Sequence, residues 1–251
     1  ARLEATVGSD GRAPGLQVSN RGSEWVVVRF SLVGGSHDLD GSPVFDESPG
    51  AQESWIGRAF LEPSEVRLGP GETAMVSLHV VPEPGQGMYP VIMADIRPLE
   101  EKGAMVTTYA RVAVPVLLTF SRAEAIVSAS EVTVSQQRPG GAIHFAGVLH
   151  NAGPVHVRAG ARAVITGPDT HAEVLIEPVT ILPGAARRVR AEWIPDSLPS
   201  GSYSVHLIPE GIRGIQGETE VAVFHVLRPY EVALVRPSLE SFAVRAAAGP
   251  H

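Results

Sequence analysis

Short runs of alternating apolar and polar residues recur along most of the chain, and one arrangement of them is written twice. Val66 to Met93 reads VRLGPGETAMVSLHVVPEPGQGMYPVIM, and Val179 to Ile208 reads VTILPGAARRVRAEWIPDSLPSGSYSVHLI. Each copy has an apolar strand start, a Pro-Gly turn, a long strand, a proline-rich link and then Gly-x-Tyr opening another strand. In the turns Pro70 and Pro183 preset φ, and Gly71 and Gly184 accept the positive φ that a type II turn requires at its third position. In the first long strand Val76, Leu78 and Val80 fall on one face; in the second, Val189, Ala191 and Trp193 alternate with Arg188, Arg190 and Glu192. A period of two puts each apolar set on one side of a half-buried antiparallel strand.

The two copies can be registered by counting. Asn20-Arg-Gly22 matches Asn151-Ala-Gly153 at an offset of 131, whereas Gly71 matches Gly184 at 113 and Tyr89 matches Tyr203 at 114. The first half therefore carries extra sequence between Asn20 and Gly71, visible as Ser36 to Glu53, which has no strand pattern and predicts an inserted loop. Helical periodicity is hard to find before the last twenty residues, and β-branched runs recur every ~8–12 residues. The pattern predicts an all-β chain of two tandem immunoglobulin-like antiparallel β-sandwiches, 1–121 and 122–228, with the junction in Ser121–Glu124 near Arg122 and a tail at 229–251. In the first half, strands are expected at Leu3–Val7, Gly15–Val18, Trp25–Val33 and Ser54–Leu61, with Gly34-Gly35 as a turn. A charged turn at Leu99–Gly103 leads into a closing run from Met105 to Phe120. Seven strands are expected in the second half, the last over Glu218–Leu227. In the tail, Tyr230, Val232 and Leu234 alternate and Leu239 with Phe242 could head a short helix; the segment is either a flexible terminus or a strand for an exposed sheet edge.

Composition narrows the function. The 251 residues suffice for two cores of roughly 100–125 residues each. Net charge −7, with Lys102 the single lysine among 20 basic residues, argues against a nucleic-acid surface. Zero cysteine removes disulfides, thiolate metal sites and thiol nucleophiles. No run of about 18 apolar residues is present to span a membrane. The start at Ala1-Arg-Leu suits either a mature form cut after a signal peptide or a trimmed chain; the first is the expectation here, and with it a secreted or cell-surface location.

Few side chains group in ways that carry chemistry. Asp38-Leu-Asp40-Gly41-Ser42, with Asp46 and Glu47 behind, places alternate oxygens on a tight turn but lacks the remainder of a calcium loop. It is either a solvated acidic loop, a cation site or a partner contact, the last because the loop distinguishes this half from its twin. His144, His150 and His156 surround the Asn151–Pro154 turn without fixing a third zinc ligand. Ser36-His37-Asp38 is contiguous and cannot form a catalytic triad by itself, no Gly-x-Ser-x-Gly elbow occurs, and no glycine loop precedes a helix to cradle phosphate. These readings give no catalytic residues, no metal site and no cofactor.

The closing run offers a binding surface instead. Val112, Val114, Val116, Leu118 and Phe120 share one face, and Pro115, facing away from them, marks an edge strand or a bulge. Such a strand can pair with a partner, main-chain bonds supplying affinity and the apolar row register; the same alternation also suits a strand that is simply core.

Asn-x-Gly, the LGPGE turn at Leu68–Glu72, Pro82 and Gly87-x-Tyr89 together resemble the immunoglobulin-like surface proteins of Gram-positive bacteria that partner WxL proteins. That resemblance implies a cell-wall-binding module followed by a partner-binding one. The run PSEVRLGPG at Pro63–Gly71 also resembles the periplasmic pilus chaperones. This second resemblance implies that the Val112–Phe120 row is offered to a pilus subunit, so that Val114→Asp should cost the subunit; Leu117 and Leu118 stand where that family carries a lysine. The expectation is a non-catalytic, exported envelope module binding protein or cell-wall glycan through sheet edges, with Asp38 and Asp40 of the loop as further contacts. The alternatives are an accessory module of a carbohydrate-active enzyme and an assembly chaperone.

Overall fold

The computed structural model describes residues 2–8, 10–99, 109–120, 125–137, 140–210, 221–227 and 232–234. The expected junction at Ser121–Glu124, most of the charged turn, the first residues of the run from Met105, Glu218–Glu220 and the tail apart from 232–234, with its expected helix at Leu239–Phe242, lie outside them. The chain divides into two compact units, one of residues 1–36 and 43–122, the other of residues 37–42 and 123–251. Both are β-sandwiches of two sheets built almost wholly from antiparallel pairs, as the alternation predicts.

In chain order the first unit contains β1 (Leu3–Thr6), β2 (Leu16–Ser19), β3 (Val26–His37), β4 (Pro43–Asp46), helix α1 (Pro49–Glu53), β5 (Ala59–Glu62), β6 (Glu65–Leu68), β7 (Thr73–Val80), β8 (Gly87–Met88), β9 (Pro90–Pro98) and β10 (Ala110–Thr119). One sheet runs β1-β10-β9-β3-β4, with β6 on β3 and β8 on β10; the other runs β2-β7-β5. The inward residues of the two sheets, among them Val28, Val76, Leu78, Ile92, Val114, Val116 and Leu118, form one core.

The second unit contains β11 (Val127–Gln136), β12 (Ile143–Asn151), β13 (Val157–Gly167), β14 (Thr170–Ile181), β15 (Ala186–Trp193), β16 (Gly201–Glu210), β17 (Val221–Val226) and β18 (Val232–Leu234). Its sheets run β11-β12-β15 and β14-β13-β16-β17-β18. Its core centres on Phe145, Tyr203 and Phe224. Tyr203 is 1% exposed, its ring lies 5.3 Å from that of Phe224, and its hydroxyl donates to the Pro199 carbonyl at 2.8 Å. A ring of this size so enclosed contributes on the order of 3–5 kcal/mol against truncation to alanine.

The repeated motifs meet in space. At each Pro-Gly turn the glycine has positive φ, 78° at Gly71 and 68° at Gly184, and the turn closes with Glu72 N–H to Gly69 C=O and Ala185 N–H to Leu182 C=O, both at 3.1 Å. Each glycine N–H then donates to the carbonyl of the unit's buried asparagine, Asn20 or Asn151, at 2.8 Å. The Asn20 amide donates to the carbonyls of Glu24 and Leu68 and accepts from Gly22 N–H. Asn151 repeats the set with Val155, Ile181 and Gly153. A side chain that satisfies three main-chain groups of two loops at once is the polar hub of each sandwich, since those groups would otherwise be buried without partners.

Several expectations are corrected. The Ser36–Glu53 insertion is not structureless: it contains β4 and α1, which Ser48 caps by accepting from Ala51 N–H. Ser54 to Arg58 turn rather than extend, and β5 starts at Ala59. Gly34-Gly35 is not a turn but lies inside β3, where a Cβ on Gly35 would stand 2.6 Å from a Val91 methyl; glycine in a strand here marks close packing. The Gly-x-Tyr match is one residue out of phase. The register of β8 and β9 on β10, with Met88 opposite Leu118 and Val91 opposite Pro115, turns Met88 inward and Tyr89 to the other face, whereas Tyr203 points into its core. A shift of one residue exchanges the two faces of a strand.

Candidate functional site

The side chains of β10 change environment along its length. Residues 110–115 pair with β9, Ala110 opposite Ile96 through Pro115 opposite Val91. On the other side β1 lies parallel to residues 116–119, beginning at Leu3 opposite Val116. Among the described residues, no strand occupies that second side over Ala110–Val114. Half of β10 is therefore an open edge and half is enclosed.

Of the predicted binding row, Val112 is 47% exposed, Val114 4%, Val116 1% and Leu118 0%, and Phe120 is half-buried against the core. Val116, Leu118 and Phe120 are thus corrected from docking surface to core. Val114 is a core residue lying under the open edge, and Val112 is the one large apolar member facing out. Val114→Asp, the substitution suggested by the pilus-chaperone resemblance, would place a carboxylate in the core and report folding rather than binding.

The start of the edge is held by a row of charges across the outer face. Arg29 on β3 donates to Glu65 on β6 at 2.6 Å; Asp95 on β9 stands opposite Arg29 and accepts from Arg111 on β10 at 2.5 Å; Arg111 also reaches Glu47 at 2.8 Å. The Arg111 guanidinium holds the Asp95 carboxyl below the usual aspartate range, and Asp95 with Glu47 raises Arg111. Beside this row the Arg97 guanidinium lies 5.6 Å from the centre of the Tyr109 ring. Ladder bonds on one side and ion pairs on the outer face fix the backbone where the edge is open.

Asp38 and Asp40 are placed otherwise than as a free acidic loop. Residues 37–42 count with the second unit. Asp38 spends its carboxylate on its own turn, accepting from Ser42 N–H at 2.7 Å, and this bond is the main cause of its lowered pKa. Asp40 accepts from Arg190 at 2.9 Å and from Arg188 at 2.9 and 3.0 Å, and these guanidinium groups hold its carboxyl below the usual aspartate range. His37 of the contiguous Ser-His-Asp stretch accepts from Leu182 N–H at 3.2 Å through Nε2. His150 bonds the Ser130 hydroxyl at 2.8 Å, and no three His, Asp or Glu side chains among the described residues converge as a metal site. An open groove of about 480 Å³ in the first unit, lined by Leu32, Trp55, Ile56 and Phe60, has Glu53 as its one charged lining residue.

No family model matches the sequence and no curated protein matches it. Among solved structures the fold is similar to a chain of a chaperone–tip adhesin complex of CFA/I fimbriae, at 12% identity and TM-score 0.49 over 94% of this chain and 97% of that one. It is similar to the class 5 fimbriae chaperone CfaA, at 12% identity and TM-score 0.46 over the same shares. It is also similar to the Pseudomonas aeruginosa CupB2 chaperone, at 11% identity and TM-score 0.43, covering 90% of this chain and 97% of that one. All three are described as chaperones or a complex of one, and none as a WxL-partner protein.

Proposed function

We propose that the chain is a non-catalytic assembly chaperone of the cell envelope, working outside the cytoplasm, that holds a protein subunit by strand addition to β10. The observation that carries this reading is the open edge at Ala110–Val114. Among the described residues it has main chain paired with no strand on one side, a ladder to β9 on the other, and an apolar row that passes from exposed Val112 into the core. An added strand gains hydrogen bonds from the edge and sets an apolar side chain beside Val112, extending the core past its own last strand. The lysine that the pilus-chaperone resemblance implies in this strand has no counterpart here, Leu117 and Leu118 standing in its place.

The test is co-purification of the tagged chain with its envelope partner before and after Val112→Asp, with Leu175→Asp on the far edge of the second unit as control. The expected result is loss of the partner with Val112→Asp alone, both variants keeping native circular dichroism. Equal recovery from both variants would refute the reading.

A further inference from the structure

The side on which β10 is open also fixes which of its main-chain groups are offered. Val7 N–H donates to Thr119 C=O at 2.8 Å, so the main chain of Thr119 points towards β1. Because these groups alternate along a strand, those of Leu117, Ala113 and Arg111 point to the same side, and those of Val112 and Val114 point to β9. Position 115 belongs to the first set, and proline there has no N–H to give. The β1 pairing starts at Leu3 opposite Val116, the residue just after Pro115.

We propose, building on the strand-addition reading, that Pro115 is the stop that sets the length and register of the docking edge. It removes the one donor that would continue the ladder from β1 towards Ala110. β1 therefore does not grow over the edge, and a docked strand does not run on into the lane β1 holds. The occupant that fits is a short extended segment of a protein subunit. It pairs with the N–H and C=O of Arg111 and Ala113 and carries an apolar side chain beside Val112. A longer uninterrupted strand has no donor to meet at 115. Proline is tolerated at this place because its missing N–H faces the open side and costs β9 no bond.

Residue-resolved amide exchange of the free chain tests this without a partner. In the wild type, Arg111 and Ala113 amides should exchange ~100-fold faster than those of Val112 and Val114, which are bonded to β9. In Pro115→Val, the new amide should be slowed ~10-fold relative to Ala113, because β1 extends by one residue pair with Arg2 opposite position 115. Pro115→Ala serves if the valine variant does not fold. A new amide that exchanges as fast as Ala113, or slow Arg111 and Ala113 amides in the wild type, would overturn the assignment of Pro115. The chaperone reading fails separately, on retention of the partner by Val112→Asp.

Discussion

The two units end differently although they share one plan. In the second, the last strand of the sandwich, β17, is covered by β18, with Phe224 opposite Leu234 and Val226 opposite Val232, and Val232 N–H donates to the Gln136 side chain at 3.0 Å. In the first, the corresponding strand β10 is covered by β1 over its final four pairs and, among the described residues, by no strand before them. The strand that opens each unit follows suit: β1 joins the sheet of β10, whereas β11 pairs with β12 in the opposite sheet. An uncovered edge with an apolar residue is a standing risk of unwanted pairing, which proteins blunt by shortening it, interrupting it with proline or lining it with charge. All three devices are present at β10: five open positions, Pro115, and Arg111 in its ion pairs.

The contrast along β10 predicts the largest effects. Val114→Asp should destabilise the first unit by at least ~3 kcal/mol, since a buried carboxylate there has no partner, while Val112→Asp should stay within about 1 kcal/mol of wild type in denaturant unfolding. Similar losses for both would remove the boundary between edge and core. Next come the asparagine hubs. Asn151→Ala should cost roughly 2–3 kcal/mol by stranding the Val155 and Ile181 carbonyls and the Gly153 N–H. Asn20→Ala should cost less, because the contact between its amide and Glu24 is partly open to water. An equal or larger loss at Asn20 would show that the two hubs are not ranked by burial.

A smaller effect is expected where β18 covers β17. Val232→Pro removes the donor to Gln136 and should lower second-unit stability by about 1 kcal/mol, with faster amide exchange along the outer side of β17. No change in that exchange would mean that β18 contributes nothing to covering the strand. The smallest effect is electrostatic. The folded-state pKa of Asp95 is depressed, so its contribution is full above the ordinary aspartate range and is lost as pH falls through the lowered value. Asp95→Asn should therefore slightly weaken the first unit at neutral pH and flatten its stability profile in acid; an unaltered acid limb would show the Arg111 pair to be energetically idle.

The all-β class, the two Pro-Gly turns and the inward faces of β7 and β15 were legible in the sequence, because turn chemistry and two-residue alternation act over a few neighbouring residues. The binding row was legible only as a row: alternation says that Val112 and Leu118 share a face, not that one is exposed and the other sealed. That depends on which part of the strand packs over the opposite sheet, whose core residues Val76 and Leu78 lie elsewhere in the chain. The same limit explains Tyr89, whose facing turned on a one-residue difference that local pattern cannot register, and Asp40, for which local sequence leaves a solvated loop, a cation site and a partner contact open and whose partners, Arg188 and Arg190, lie far along the chain. Asn20 and Asn151 were visible as matching letters, but their role needed carbonyls 48 and 30 positions further along the chain. The amino-acid order by itself determined which way each stretch turns and which of its sides shuns water. Which edges are covered, which polar groups find partners and which apolar residue is left to face solvent were decided by strands distant in sequence, because closure of a sheet depends on what packs beside it.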